Sequence, residues 1–185
     1  MPGKTTIIVM RHGESEANSR QIISDKLVDH PLTDRGLEQA RRAALSLKDE
    51  PIDLIITSTR QRARLTGEEV NKLHGVQVLE TEDLIERNYG IFSGIPDREA
   101  HEIMEKQGFS WLNIPESESV EALDARVKRV VTSVTNLHAS HHALIVTHAD
   151  VVRAFFRVFR NVPPEESVKL RIENSKPYIF EVSDA

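Results

Sequence analysis

Cysteine is absent from this chain. That excludes disulfide staples and thiolate chemistry, so a nucleophile must come from another side chain. Long apolar runs are also missing. The run at residues 5–10 is too short for a signal h-region with its cleavage site, and no stretch approaches the length of a membrane span. Positive charge is not in excess: 24 Lys and Arg stand against 29 Asp and Glu, a formal net charge of −5. A mildly acidic chain has no global reason to bind nucleic acid. These absences leave a cytoplasmic enzyme as the expectation, with neither nucleic acid nor membrane as a partner.

What is present fits one domain. The 185 residues suffice for a substantial core and show no repeat, low-complexity tract or linker. Residues 5–10, 52–57, 76–79 and 143–147 read as short buried strands, rich in β-branched residues. Thr33 can cap a helix with Leu37, Ala40, Ala44 and Leu47 on its apolar side. Further helices are expected at residues 60–73, at 97–107, from Ser119 along Val120, Leu123, Val127, Val130, Val134 and Leu137, and at 149–159. Pro163 and Pro164 break the last of these. Residues 168–173 and 178–182 read as two strands of a terminal hairpin. Strands alternating with helices predict an α/β three-layer sandwich: a largely parallel central sheet with helices on both faces. Residues 88–119, rich in Gly, Pro and aromatics, read as an excursion over the site.

Ligands of open α/β sheets bind at the carboxyl ends of the strands. Three predicted strands end in Arg11-His12-Gly13-Glu14, in Ser58 followed by Arg62, and in His148-Ala149. Parallel strands would bring two histidines and two arginines to one rim. Arginine offers a fixed fork of donors matched to phosphate oxygens, so Arg11 and Arg62 can clamp a phosphoryl group. A neutral imidazole is a nucleophile toward phosphorus, and neighbouring cations would keep His12 neutral. His148 would add a donor to the equatorial oxygens, and Gly13 would let the backbone approach them. Glu86 is the carboxyl candidate to protonate the leaving alcohol.

These segments resemble the histidine phosphatase superfamily, also called the phosphoglycerate mutase-like family, over most of the chain. Arg11-His12-Gly13-Glu14-Ser15 resembles its signature, with His12 in the phosphorylated position. Leu32-Thr33-x-x-Gly36-x-x-Gln39-Ala40, Ser58-x-x-x-Arg62-Ala63-x-x-Thr66, Leu84-x-Glu86-x-x-x-Gly90-x-x-x-Gly94 and Val146-Thr147-His148 follow in the family's order. The second arginine motif selects Arg62 over Arg60 and Arg64, which are expected on a solvated face. The resemblance implies phosphate-pocket roles for Asn18 and Ser24. Ala149 is expected to offer its backbone N–H to phosphate, and Arg87 and Tyr89 are further substrate candidates. Two departures stand out: Ala149-Asp150 follows His148 where the family usually has Gly, and Thr59-Arg60 replaces a more usual pair.

The expected activity is a phosphomonoester phosphatase with a phosphohistidine intermediate on His12. It needs no metal or cofactor, and its partner is a small phosphorylated metabolite. The alternative is a phosphoglycerate mutase primed by 2,3-bisphosphoglycerate, since Glu86-Arg87-x-Tyr89-Gly90 resembles the mutase form of the acid motif. Against it, Asp97 occupies the position of a mutase lysine, with Arg98 beside it, and residues 109–118 hold no arginine pair. A silent phosphate-binding module is the remote third reading. His138, His141 and His142 lack a nearby acid partner and read as a solvated helix end, not a metal site. Phe92, Phe109 and Trp111 read as packing. The residues leave the oligomeric state open, with a homodimer among the options.

Overall fold

The computed structural model describes residues 4–24, 29–137 and 142–183. Five strands form one sheet: β1 (Lys4–Arg11), β2 (Leu54–Ser58), β3 (Gln77–Thr81), β4 (His142–Thr147) and β5 (Pro177–Ser183), in the order β3-β2-β4-β1-β5. The pairs β2–β3, β2–β4 and β1–β4 are parallel, and β5 runs antiparallel to β1. The expected α/β sandwich with a largely parallel sheet is what forms.

Side chains alternate across the sheet because successive Cβ atoms point to opposite faces. Ile7, Val9, Leu54, Ile56, Ala143 and Ile145 pack on one face against α5 (Val120–Thr132) and α6 (Ala149–Arg160). Ile8, Met10, Ile55, Leu144 and Val146 pack on the other against α2 (Asp34–Leu47) and α3 (Gln61–His74). Ser15 caps the one-turn α1 (Glu16–Ser19), and Thr33 caps α2 as expected, accepting from the Gly36 N–H at 3.0 Å. The buried stripe of α2 also takes in Ala43, while Leu37 is only half-buried. The helix from Ser119 ends its α-helical part at Thr132 and continues as a π turn over Ser133–Leu137. Pro164 opens a short further helix, α7 (Pro164–Ser167).

The terminal hairpin does not form. Residues 168–173 alternate apolar and polar side chains as a strand would, yet they join no ladder. Two guanidinium groups occupy carbonyls that a neighbouring strand would use. Arg153 donates from Nε and Nη2 to the Leu170 carbonyl, and Arg11 Nη1 donates to the Ile172 carbonyl. β5 finds its partner in β1 instead.

The excursion builds a small core of its own from Ile23, Phe92, Ala100, Met104 and Ile114. Its helix, α4 (Asp97–Gln107), matches the expected bounds. It is fastened beside the end of β1 by short backbone hydrogen bonds: Ile23 N–H to Ile95 O, Gly94 N–H to Ile23 O and Asp97 N–H to Gln21 O. Gly90, at φ 54°, is required because an added Cβ would lie 2.0 Å from the Pro115 carbonyl oxygen. Phe92 and Phe109 pack in or against this core as expected. His138 and His141 lie outside the described residues. His142 opens β4, at the opposite end of that strand from His148.

Candidate active site

β4 lies between β1 and β2, so the carboxyl ends of these three strands are adjacent. The His12 N–H donates to the Thr147 carbonyl at 2.9 Å, which carries the β1–β4 pairing one step past Arg11. His12, Ser58 and His148 therefore meet at one rim, with Arg62 arriving from the first turn of α3.

His12 is 3 % exposed. Its Nδ1 lies 2.6 Å from the Gly13 carbonyl oxygen. A carbonyl can only accept, so Nδ1 carries the proton and Nε2 holds a lone pair. Arg62 Nε donates to that Nε2 at 3.2 Å. Burial, then Arg62 and Arg11, hold the imidazole well below its ordinary pKa. The sequence expected the cations to keep His12 neutral; they do contribute, but burial is the larger cause.

His148 is fully buried, its ring edge-on to His12 with centroids 5.1 Å apart. Its Nδ1 faces Arg62 Nη2 at 3.4 Å, and a guanidinium can only donate. The proton therefore sits on Nε2, which donates to Ser58 Oγ at 2.8 Å. This corrects the expected role, because the N–H of His148 is committed to Ser58. Burial and Arg62 again keep the ring neutral.

Arg62 is almost wholly buried and spans both histidines, while its Nη1 has no hydrogen-bond partner and lies 3.6 Å from Asp29. Thr66 Oγ donates to the Arg62 carbonyl at 2.7 Å and accepts from the Gly13 N–H at 3.1 Å. One hydroxyl thus ties α3 to the loop after β1. Gly13 is needed for that loop's packing: a Cβ there would lie 2.3 Å from the Gly36 carbonyl oxygen. Its N–H is taken by Thr66, so the expected approach of this backbone to phosphate is not what the residue provides. Arg60 is half-buried with Nε lacking a partner, not fully solvated as expected.

Glu86 is 7 % exposed. Its Oε1 accepts from the N–H groups of Arg87 (2.8 Å) and Asp150 (3.3 Å), and its Oε2 accepts from Ala149 at 3.0 Å. It closes the N-terminus of α6, which has no side-chain cap from His148. The Ala149 N–H expected to meet phosphate is therefore occupied by Glu86. Burial first, and the Asp150 carboxylate next, push the Glu86 pKa up to about 7. Asp150 itself pairs with Arg153 Nη1 at 2.6 Å and with Arg87 Nη1 at 3.8 Å.

A cavity of about 320 Å³ opens over this cluster. Arg11, Asn18, Ser24, Glu86, Tyr89, Ala149 and Asp150 line it, with Asp97, His101, Trp111 and Arg153. His12, Arg62 and His148 are buried and are not among its lining residues. Arg87 does not reach the cavity, which corrects its assignment to substrate: its guanidinium holds the Glu118 and Trp111 carbonyls and Ser117 Oγ. Burial and the nearby Asp150 and Glu86 carboxylates keep the Tyr89 phenol protonated, well above its usual pKa. Trp111, expected only to pack, also forms cavity wall. Asn174, in the segment between the two expected hairpin strands, donates to the His12 carbonyl at 2.8 Å and to Asn18 Oδ1 at 3.3 Å. Nothing in its local sequence separates that contact from ordinary turn chemistry.

The sequence matches the Histidine phosphatase superfamily (branch 1) over residues 7–185. The chain belongs to that superfamily. It is 30% identical over 161 residues to PhoE of Bacillus subtilis, named as an uncharacterized phosphatase, covering 87% of this chain and 80% of that one. It is 31% identical to a 2,3-bisphosphoglycerate-dependent phosphoglycerate mutase of Thermoplasma acidophilum, covering 95% and 86%. The fold is shared with the crystal structure of a Bacillus anthracis phosphoglycerate mutase, with a TM-score of 0.85, 21% identity, and coverage of 99% and 90%. Among the described residues, no helix is long and apolar enough to cross a membrane.

Proposed function

We propose that this superfamily member is a phosphomonoesterase that passes the phosphoryl group through His12 of a single cytoplasmic domain. One observation carries the reading. The Nε2 lone pair of a neutral His12 stands among two arginines, and a carboxyl with a pKa of about 7 lines the cavity above. Nε2 attacks phosphorus while the P–O bond to the alcohol breaks. Glu86 gives its proton to the departing oxygen. Water then attacks phosphorus, the P–N bond breaks, and the Glu86 carboxylate takes the water proton. Arg11 and Arg62 supply the positive charge for the equatorial oxygens, so the step calls for no metal or cofactor. Asn18 and Ser24 sit in the lining where a phosphoryl oxygen can reach them.

The mutase reading is favoured by the Thermoplasma acidophilum relative. It needs further cationic contacts for a second phosphate and a carboxylate. Arg87 is engaged inside the excursion, while Arg98, exposed on α4 near Glu102, lines a neighbouring hollow with Arg11, Asn18 and His101 and is the one of these cations left to meet such a ligand. Arg153 is engaged by Asp150 and the Leu170 carbonyl. These engagements support the phosphatase reading. Rapid quenching with labelled substrate tests the intermediate: an acid-labile, base-stable phosphoenzyme is expected at His12. Label that persists in His12→Ala ends the proposal.

A further inference from the structure

The cavity over the His12 cluster has an apolar neighbour. His101, Trp111 and Val168 line the cavity and also line a second hollow of about 490 Å³ between α4 and the end of α7. The two spaces therefore share a wall. The second is mostly apolar: Met104, Phe109 and Leu112 also line it, with Ser110. Phe109, Trp111, Leu112 and Val168 are all half-buried, so each keeps apolar surface uncovered. Neither Lys nor Arg lines this groove, while the exposed Glu105 and Glu165 do. A second anionic group would be repelled there, and an apolar one would gain by leaving water.

The approach from the phosphoryl end has matching chemistry. At the cavity floor the charges of Asp150 and Arg153 are spent on each other at 2.6 Å. The side leading to the groove carries Trp111, held edge-on against His101 at 5.5 Å and Tyr89 at 6.1 Å. Aromatic walls of this kind bind apolar groups in a defined orientation.

We propose that the natural substrate is a phosphomonoester whose alcohol carries an apolar tail, and that the tail seats in the groove of Met104, Phe109, Trp111, Leu112 and Val168. This rests on the phosphatase reading and narrows its substrate. A small, highly polar ester fills only the cavity and leaves the groove wet.

The test is a series of n-alkyl phosphates from ethyl to hexyl, which hold the leaving-group pKa nearly constant while the tail lengthens. In the wild-type enzyme kcat/KM rises with each methylene, by at least about tenfold across the series. In Leu112→Asn the rise with tail length flattens, a readout internal to each variant. A flat series in wild-type enzyme that still turns over ethyl phosphate overturns the groove and leaves the phosphatase reading standing. A rise of the same slope in Leu112→Asn also overturns it, because the tail then lies elsewhere. Absence of turnover with every ester, together with absence of phospho-His12, removes the phosphatase reading and the groove with it.

Discussion

Asp150 and Glu86 meet at the first turn of α6: the Asp150 N–H donates to Glu86 Oε1 at 3.3 Å, and the Asp150 carboxylate helps hold a proton on Glu86. The resemblance often puts a second glycine at this position, so this chain adds a charge where its acid must stay protonated. Arg11 and Arg62 oppose the effect, and burial and Asp150 outweigh them. For alkyl phosphates, whose leaving group needs the proton, kcat/KM should fall as pH rises through about 7. In Asp150→Asn that fall should move to lower pH. The folded pKa of Glu86 is raised, so its contribution to stability is full below the ordinary carboxyl range and is lost as pH rises through about 7. Glu86→Gln should remove that part of the pH dependence. A pH profile unchanged in Asp150→Asn would show that the second carboxylate does not tune the first.

The two imidazoles predict the opposite sign. His12 and His148 both have folded pKa values well below the usual one. The unfolded chain takes up protons near pH 6.5 that the folded one refuses. Their share of stability is therefore full above about pH 6.5 and is lost as pH falls below it. Imidazole NMR resonances of both residues should stay those of neutral rings at pH 6. A midpoint near 6.5 for either ring would contradict the buried pair.

Arg62 binds both histidines through Nε and Nη2 and still has Nη1 without a hydrogen-bond partner. A lysine keeps the charge and loses the fork. Arg62→Lys should lower kcat/KM at least about tenfold, equivalent to about 1.4 kcal/mol. Arg60 touches neither histidine ring, although its charge contributes to lowering both the Arg62 and His148 pKa values. Arg60→Lys preserves that charge and should change kcat/KM less than twofold. Equal losses would mean that the fork of Arg62 is not what matters.

Most of the sheet was legible because buried parallel strands are continuous apolar runs, and β1, β2 and β4 are such runs. The ends of α4 were legible because Pro96 precedes it and Gly108, at φ 69°, stops it. The segment at 168–173 was misread because Val168, Leu170 and Ile172 alternate correctly; strand pairing depends on carbonyls that Arg153 and Arg11 take from afar. The rim residues of the site could be placed from strand ends. The partners of His148, Ala149 and Arg87 could not, since each is set by a side chain or carbonyl remote in sequence. His101 reaches the cavity wall only through the docking of the excursion onto residues 21–24.

Gly36 gives a test of the loop that holds His12. An added Cβ would lie 2.0 Å from the Glu14 carbonyl oxygen, which is backbone and cannot swing aside. The neighbouring Glu14 N–H is fixed by Gln39 Oε1 at 2.8 Å, so loop and helix would have to separate. Gly36→Ala should cost about 1–3 kcal/mol in denaturant unfolding and should lower turnover through displacement of Gly13 and His12. Unchanged stability together with unchanged activity would show that the contact yields freely.

The last prediction separates hydrolysis from mutase chemistry. Both pass through phospho-His12 and differ in what reaches it next. A phosphatase admits water once the alcohol has left. A mutase holds a bisphosphorylated ligand, keeps water out and lets the ligand turn, which demands cations for a carboxylate and a second phosphate. Here Arg87 is fastened to the Glu118 and Trp111 carbonyls, and Arg153 to Asp150 and Leu170. Asp97 stands in the wall with its carboxylate near His101 at 3.8 Å. The carboxylates of Asp97 and Asp150 in the lining oppose a multiply charged ligand, and Arg98, in a neighbouring hollow with Arg11 and Asn18, is among the described residues the remaining cation there that is not held by backbone carbonyls. Net phosphate release from several phosphomonoesters is expected, with slow or absent interconversion of 3- and 2-phosphoglycerate after priming with 2,3-bisphosphoglycerate. An enolase-coupled assay run beside free-phosphate detection measures both rates on one preparation. Interconversion that outpaces phosphate release by orders of magnitude, and that requires the primer, would replace the phosphatase reading with the mutase one.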